Sequence, residues 1–385
     1  MTWNWEQPDW PRLAWDARRL AKAEERFVRG GGIFLGTVRH LAESDREQVV
    51  VEAMGSEAVT TSEIEGEILD RESVQSSIRQ QLGLASDRRR VKPAERGIGE
   101  MMVDLYRGYG RPLDEGTLCS WHAMVCRGRT DLREVGRYRT HAEAMRVVSG
   151  RIDKPTVHFE APPSDRVGLE MARFVEWFNR RGPGGAEPLG ALTRAGVAHL
   201  YFESIHPFED GNGRIGRAIS EKALAQSLGQ PALTALAATI LTNRREYYDA
   251  LEAANKQNEI TEWLAWFAGV GLEAQERTLA QVEFVIEKTK LLDRAGAWAN
   301  ARQRAVLLRV MREGPEGFTG GLSAKKYVTI AKTSSATATR DLGELVERGI
   351  LRREGEKKGA RYYPMVVARK VARVIVGAGG EVVEL

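Results

Sequence analysis

The stretch HPFEDGNGRIGRAISEKALA, His206 to Ala225, decides how this chain is read. Gly211-Asn212-Gly213 joins residue types that tolerate left-handed backbone, where successive N–H groups turn inward as an anion-binding nest. Arg214 to Gln226 predicts a helix whose first-turn N–H groups and positive dipole end face the same spot. Arg214 and Arg217 lie three apart on one helix face, so two guanidinium forks can grip oxygens of one ligand. That provision suits a di- or triphosphate. Asp210 is a hard oxygen ligand just before the nest, placed for a Mg²⁺ that takes one carboxylate together with phosphate oxygens. His206 is the nearby group able to take a proton near neutral pH. Pro207 and Phe208 read as structural. Together these residues describe group transfer from a nucleotide to a hydroxyl. The pattern is not GxxxxGK(S/T), so a P-loop is set aside. His40, His122, His141, His158 and His199 read as core or surface residues.

Working upstream, Thr193 to Ile205 puts Val197, Leu200, Tyr201 and Ile205 on one stripe, predicting a buried helix that delivers its C-terminal end to the loop. Leu169 to Asn179 predicts another helix. Gly136 to Phe159 is rich in Val, Tyr and Thr around Ser149-Gly150, which predicts a hairpin turning there inside an otherwise helical body. Residues 94 to about 128 and Glu47 to Gln81 carry helical spacing, and so does the chain from Leu13, with a break expected at Gly30-Gly31-Gly32. Asp87 to Pro93 reads as a charged boundary. The opening WNWEQPDWPRLAWD sets Trp3, Trp5, Trp10 and Trp15 among prolines, which suits a clamp onto a neighbouring surface better than a free strand or helix.

His206, Phe208, Asp210, Gly211, Asn212, Gly213, Arg214 and Arg217 match the signature HxFx(D/E)GNGRxxR, and the chain resembles the Fic family over residues 95 to 275. The resemblance implies a mainly α protein, a Fic helical core with a β-hairpin flap at 137 to 159 that holds target peptides by strand addition. It implies that His206 deprotonates a Ser, Thr or Tyr hydroxyl of a target protein, which attacks the α-phosphate of ATP. Pyrophosphate then leaves from the side held by Asp210-bound Mg²⁺, the nest and Arg214. Tyr247, Tyr248 and Asn255 resemble the family's nucleoside-side contacts. TSEIEG, with Thr61, Glu65 and Gly66, resembles its inhibitory pattern (S/T)xxxE(G/N), in which Glu65 pairs with Arg217 and displaces the γ-phosphate. The implied protein is an autoinhibited adenylyltransferase with possible self-modification. The intact loop argues against the kinase-like Fic variants, while the same groups suit removal of AMP by hydrolysis.

The 385 residues suit two or three domains, and 29% charged with 42% apolar residues excludes wholesale disorder and fibrous repeats. The expected division is 1–92, 93–280, a helical linker 281–300, and 301–385. No apolar run suits a membrane span and the start lacks a signal pattern, so a cytoplasmic location is expected. Cys119 and Cys126 make no disulfide framework and lack CxxC spacing. Residues 301–385 hold 17 Lys+Arg against 9 Asp+Glu, while the other 300 hold 40 against 44. Helical patterns at Ala301 to Glu313 and Leu322 to Val328, then Lys332 to Arg340 running into Asp341 to Arg348, precede a ribbon with Lys357 and Lys358 at its turn. They resemble a winged helix-turn-helix whose recognition helix starts at Ser334, Ser335, Thr337, Thr339 and Arg340. Such units meet DNA, or serve as protein-docking or homodimer modules. The alternative function is therefore a DNA-binding transcriptional regulator whose Fic loop senses nucleotide.

Overall fold

The structure is a computed structural model that describes residues 2–39, 41–84, 89–151, 154–232, 234–312, 320–366 and 369–385. It is mainly helical and divides into two compact units, Met1–Thr37, Val50–Thr278 and Ala372–Leu385 in one, Val38–Val49 and Leu279–Val371 in the other. In chain order, α1 (Ala17–Arg39), α2 (Glu43–Ile64), α3 (Arg71–Leu82), α4 (Pro93–Gly108) and α5 (Glu115–Val125) precede an antiparallel hairpin, β1 (Arg146–Arg151) with β2 (Lys154–Glu160). Next come α6 (Ser164–Arg180), α7 (Ala191–Ile205), α8 (Asn212–Leu228), α9 (Leu236–Thr242), α10 (Arg244–Ala254) and α11 (Thr261–Gly296).

The centre of the larger unit is α7, every residue of which is buried. Side chains such as Leu200 and Phe202, fully removed from water, each contribute roughly 1.5–3 kcal/mol of burial. A helix start so deep needs partners for its first N–H groups. Glu24 of α1 supplies them, accepting from Leu192 N at 3.1 Å and from Thr193 N and Oγ1 at 2.7 Å. Trp263 of α11 donates its indole N–H to Gly196 O at 2.9 Å, a close approach that a side chain at residue 196 would block: a Cβ there would stand 2.8 Å from Leu264 Cδ2. With both flanks held, α7 ends where the loop begins.

Several sequence expectations change. Gly30-Gly31-Gly32 does not break α1, which runs through to Arg39. A Cβ on Gly30 would meet Gln275 Oε1 at 2.0 Å and one on Gly31 would meet Leu228 Cδ2 at 2.5 Å. Gly30 and Gly31 allow this close packing, which offsets their poor helix propensity of about 1 kcal/mol each, while a Cβ on Gly32 would meet nothing within 4 Å. The expected turn at Ser149-Gly150 lies inside β1, where Ser149 pairs with Thr156 and Gly150 with Pro155. The connection is at 152–153, outside the described residues. Strand pairing starts at Arg146, so 136–145 is loop rather than hairpin.

The smaller unit holds α12 (Ala301–Met311), α13 (Ala324–Ala331) and α14 (Ser335–Glu347), then an antiparallel pair, β3 (Leu351–Glu354) with β4 (Arg361–Pro364). Val306, Leu307, Tyr327, Leu342 and Leu345 form its core. Tyr327 donates to Asp341 Oδ2 at 2.9 Å, and Arg302 Nε donates to the same oxygen at 3.0 Å. Helix α11 continues to Gly296 and covers most of 281–300, and β5 (Val374–Val376) with β6 (Val382–Glu384) groups with the first unit, where Val374 and Val376 join the large core. Of the Asp87 to Pro93 boundary, 87 and 88 lie outside the described residues and Pro93 opens α4.

Candidate active site

The loop between α7 and α8 is built by its own backbone. His206 takes a left-handed φ of 50° as the C-cap of α7 and donates its N–H to Phe202 O at 3.0 Å. Gly211, at φ 81°, caps the start of α8 in the same region, where a side chain is costly. Asn212 turns its amide back on the loop: Phe208 N donates to Oδ1 at 3.0 Å and Nδ2 donates to Phe208 O at 2.8 Å. Its side chain therefore holds loop shape and leaves its backbone at the helix start for a ligand. Phe208 is fully buried and stacks on His122 at 4.1 Å and 11°.

A residue that sequence reasoning missed pins the loop from outside. Arg139 is 1% exposed, and its Nε donates to His206 O at 2.8 Å while its backbone N donates to Pro207 O at 2.9 Å. Its remaining nitrogens reach Pro162 O and Ser164 Oγ. No local spacing marks it, since it works through contacts distant in sequence.

Burial, with Arg139 nearby, lowers the His206 imidazolium to a pKa of about 4, so the ring is neutral and free to accept a proton. Glu203 Oε2 stands 3.7 Å from His206 Nδ1, and burial with the Glu65 charge pushes Glu203 up to about 8. Glu203 Oε1 has no hydrogen-bond partner.

At the start of α8, both motif arginines are taken by carboxylates from one turn. α2 ends at Ile64, and Gly66, at φ 84°, reverses the chain so that Glu65 and Glu67 N–H both bond Ser62 O, at 3.1 and 3.0 Å. Arg217, 2% exposed, donates from Nη2 to Glu65 Oε1 at 2.6 Å, from Nη2 to Thr61 O at 2.9 Å and from Nε to Thr61 Oγ1 at 2.7 Å. Burial disfavours its charge, but Glu65 outweighs that and raises its pKa. Glu65 Oε1 also sits over Gly213, where a Cβ would lie 2.3 Å away. Arg214, 5% exposed, donates to Glu67 Oε2 at 2.7 Å. Glu67 was not expected; its signal is the second acidic residue after Gly66 in EGE.

Asp210 accepts from Gly211 N at 2.5 Å and from Arg129, with Arg214 Nη2 at 3.6 Å. Burial would raise its pKa, but Arg129 and Arg214 hold it below the usual range. Among the described residues no three His, Cys, Asp or Glu gather as a metal cluster. A lone ionised carboxylate at the mouth of an anion site is the donor set that fits Mg²⁺ shared with phosphates.

A cavity of about 480 Å³ opens beside this loop, lined by His206, Glu203, Glu65 and Gly213 on one side. The hairpin and α10 line the rest. Tyr248 and Asn255 both reach the lining, but Asn255 Oδ1 accepts from Ser204 at 3.2 Å and the residue is 4% exposed. Tyr247 lines it too, although it is 2% exposed and its hydroxyl meets His199 Nε2 at 2.9 Å. His199 is a fully buried core residue and His122 is buried as well. His141 lies 3.0 Å from Glu143 O in the loop, and His40 is outside the described residues. His158 differs from its expected role: it lines the cavity, with Nε2 2.6 Å from Ser149 Oγ and Nδ1 2.8 Å from Glu252 Oε2. That relay ties the hairpin to α10. At its base Trp3 packs edge-on to Phe159 at 5.4 Å and Trp5 donates to Glu160 O at 2.7 Å, so part of the opening segment is indeed a clamp.

Residues 112–224 match the Fic/DOC family. The chain carries a Fic domain. Residues 3–84 match DUF4172, a domain of unknown function, and this stretch supplies both Fic-loop carboxylates, Glu65 and Glu67. The Fic region is similar to protein adenylyltransferase fic-1 of Caenorhabditis briggsae, 30% identical over 128 residues, 32% of this chain and 24% of that protein. It is similar to protein adenylyltransferase Fic of Culex quinquefasciatus, 30% identical over 122 residues, 32% and 22% of the two chains. A probable protein adenylyltransferase of Aquifex aeolicus is 29% identical over 98 residues, 26% and 27%. The chain thus spans about a quarter of the length of these curated relatives. A Fic family protein from Desulfovibrio desulfuricans G20 aligns in structure with a TM-score of 0.49 at 22% identity, covering 90% of this chain and 97% of that one. No helix among the described residues is long and apolar enough to cross a membrane.

Proposed function

We propose that the chain is an autoinhibited protein adenylyltransferase, transferring AMP from ATP to a Ser, Thr or Tyr hydroxyl of a target protein. The observation that carries this reading is the neutral His206 beside a helix start whose two buried arginines are held by the chain's own carboxylates. The target hydroxyl gives its proton to the imidazole and its oxygen bonds the α-phosphorus of ATP. The bond from that phosphorus to the bridging oxygen breaks, and pyrophosphate leaves. Arg214, Arg217 and the α8 N–H groups neutralise the phosphates, and positioning with charge neutralisation is most of what phosphoryl-type transfer needs. Asp210 would hold Mg²⁺, which adds positive charge at adjacent phosphate oxygens. Glu65 occupies the γ-phosphate fork of Arg217, and Glu67 adds a second carboxylate on Arg214. Incubation with α-³²P-labelled ATP and a lysate, using wild type and Glu65→Ala, should label protein in the variant. No label on any protein, with ATP still bound, would sink the transferase reading.

A second reading concerns the smaller unit: we infer that it is a winged helix that contacts duplex DNA. Ser334 caps α14, accepting from Thr337 N at 3.2 Å, and the first turns expose Ser335, Thr339 and Arg340, with Arg352 and Arg353 exposed on β3. Binding to duplex DNA should weaken steeply with salt and fall in Arg340→Ala. Salt-independent or absent binding would leave the unit as a docking module.

A further inference from the structure

We propose that the chain holds a second ligand site, a cleft between its opening segment and α6 that binds a nucleoside phosphate. The cleft measures about 540 Å³, within the usual range for small-molecule sites, and shares no lining residue with the His206 cavity. Its walls are aromatic: Trp10, Trp15 and Trp177, with Tyr201 of α7 beneath. They are held rather than loose. Trp10 donates its indole N–H to Glu170 Oε2 at 3.0 Å and meets Tyr201 edge-on at 5.1 Å and 87°, while Trp177 meets Tyr201 at 5.9 Å and 70°.

Over this aromatic base stand four arginines, Arg12, Arg173, Arg180 and Arg181, against one acid, Glu176. On α6, Arg173, Trp177 and Arg180 fall at i, i+4 and i+7 and share a face. Arg181 pairs with Glu187 at 2.9 Å and Arg173 lies 3.7 Å from Glu170. Arg12 and Arg180 pair with no carboxylate among the described residues, and both are exposed at the rim. Tyr201, 2% exposed, closes the floor of the cleft. Flat aromatic faces suit a base, and paired guanidinium forks suit its phosphate. A bare phosphate has no use for three tryptophans.

The test is calorimetric titration of the full chain with AMP, GMP and UMP, and with inorganic phosphate, alongside quenching of tryptophan fluorescence. At least one nucleotide should bind and quench, and should lose affinity tenfold or more in Arg12→Ala/Arg180→Ala. These side chains are exposed, so the melting temperature should not move. Arg180→Lys, which keeps the charge without the fork, should be intermediate, and phosphate should bind at least tenfold more weakly. The assignment is overturned if no nucleotide binds, if binding is unchanged in the double variant, or if phosphate binds as tightly as nucleotide.

Discussion

Removing Glu65 is the perturbation with the most direct readout. In Glu65→Ala, Arg217 loses a 2.6 Å charge-assisted bond but keeps both Thr61 contacts, so the helix start is retained while its fork is vacated. A hydrogen bond to a charged group contributes about 1.5–3 kcal/mol. Arg217 is 2% exposed and Glu65 29%, so solvent screens little of this and about 2 kcal/mol is a fair central value. If that bond competes with ATP, its loss should tighten apparent ATP affinity by about 30-fold, at about 1.4 kcal/mol per tenfold. Glu67 is 36% exposed, and a pair so placed contributes closer to about 0.5 kcal/mol, or about 2-fold. Glu67→Ala should therefore be weak alone, and the double variant should approach the product of the two, about 60-fold. Calorimetric titration of ATP into the four proteins measures all of it. An ATP affinity in Glu65→Ala within 2-fold of wild type, with an unchanged melting temperature, would refute the competition. A Glu67 effect larger than that of Glu65 would refute the ranking by burial.

Three further outcomes are expected. His206→Ala should abolish transfer while ATP binds within a few-fold, and in the active enzyme the acid limb of kcat/KM should fall near pH 4 rather than 6.5, because burial disfavours the imidazolium. Asp210→Ala should lose Mg²⁺-dependent transfer, checked by labelling with and without chelator; equal labelling in excess chelator contradicts the assignment. Glu203 titrates near 8 when folded against an ordinary value of 4.5, so the folded state binds the extra proton between them and stability falls as pH rises through that window. Glu203→Gln should thus gain melting temperature relative to wild type at pH 8.5 compared with pH 5, and an equal offset at both would show that Glu203 is not the titrating group.

How much of this was legible depends on how local each signal is. The loop from His206 to Arg217 could be read because nest, helix start and arginines lie within twelve consecutive residues, where spacing fixes geometry. Glu65 was legible only beside that loop, since six residues, four closing α2 and two beyond it, say nothing about which helix they meet. Arg139, Arg129 and His158 left no pattern at all: each acts across a tertiary contact, and an arginine in a loop reads as solvated until burial shows otherwise. The misread glycines of α1 make the same point from the other side. Propensity counted against a helix there, and only Gln275 and Leu228, far along the chain, explain why small residues are required.

The tie between the DUF4172 stretch and the Fic loop has a structural consequence of its own. Trp3 and Trp5 hold the base of the hairpin, Glu24 caps α7, and Glu65 and Glu67 pair with the motif arginines, so one segment supports the site at three points and ion-pairs with its arginines at a fourth. The supporting contacts and the carboxylate turn differ in burial. Trp3 is 7% exposed and Ile64, which ends α2, is fully buried, whereas beyond it Glu65 and Glu67 keep both carboxylates partly in water. Elements with fewer buried contacts open at lower free-energy cost. The 65–67 turn should therefore open while Ile64, the tryptophans and Glu24 stay in place, releasing the arginines without dismantling the loop they serve. Amide exchange should then be faster at 65–67 than at 191–205, and equal protection in the two segments would mean that the arginines are released only by wider unfolding.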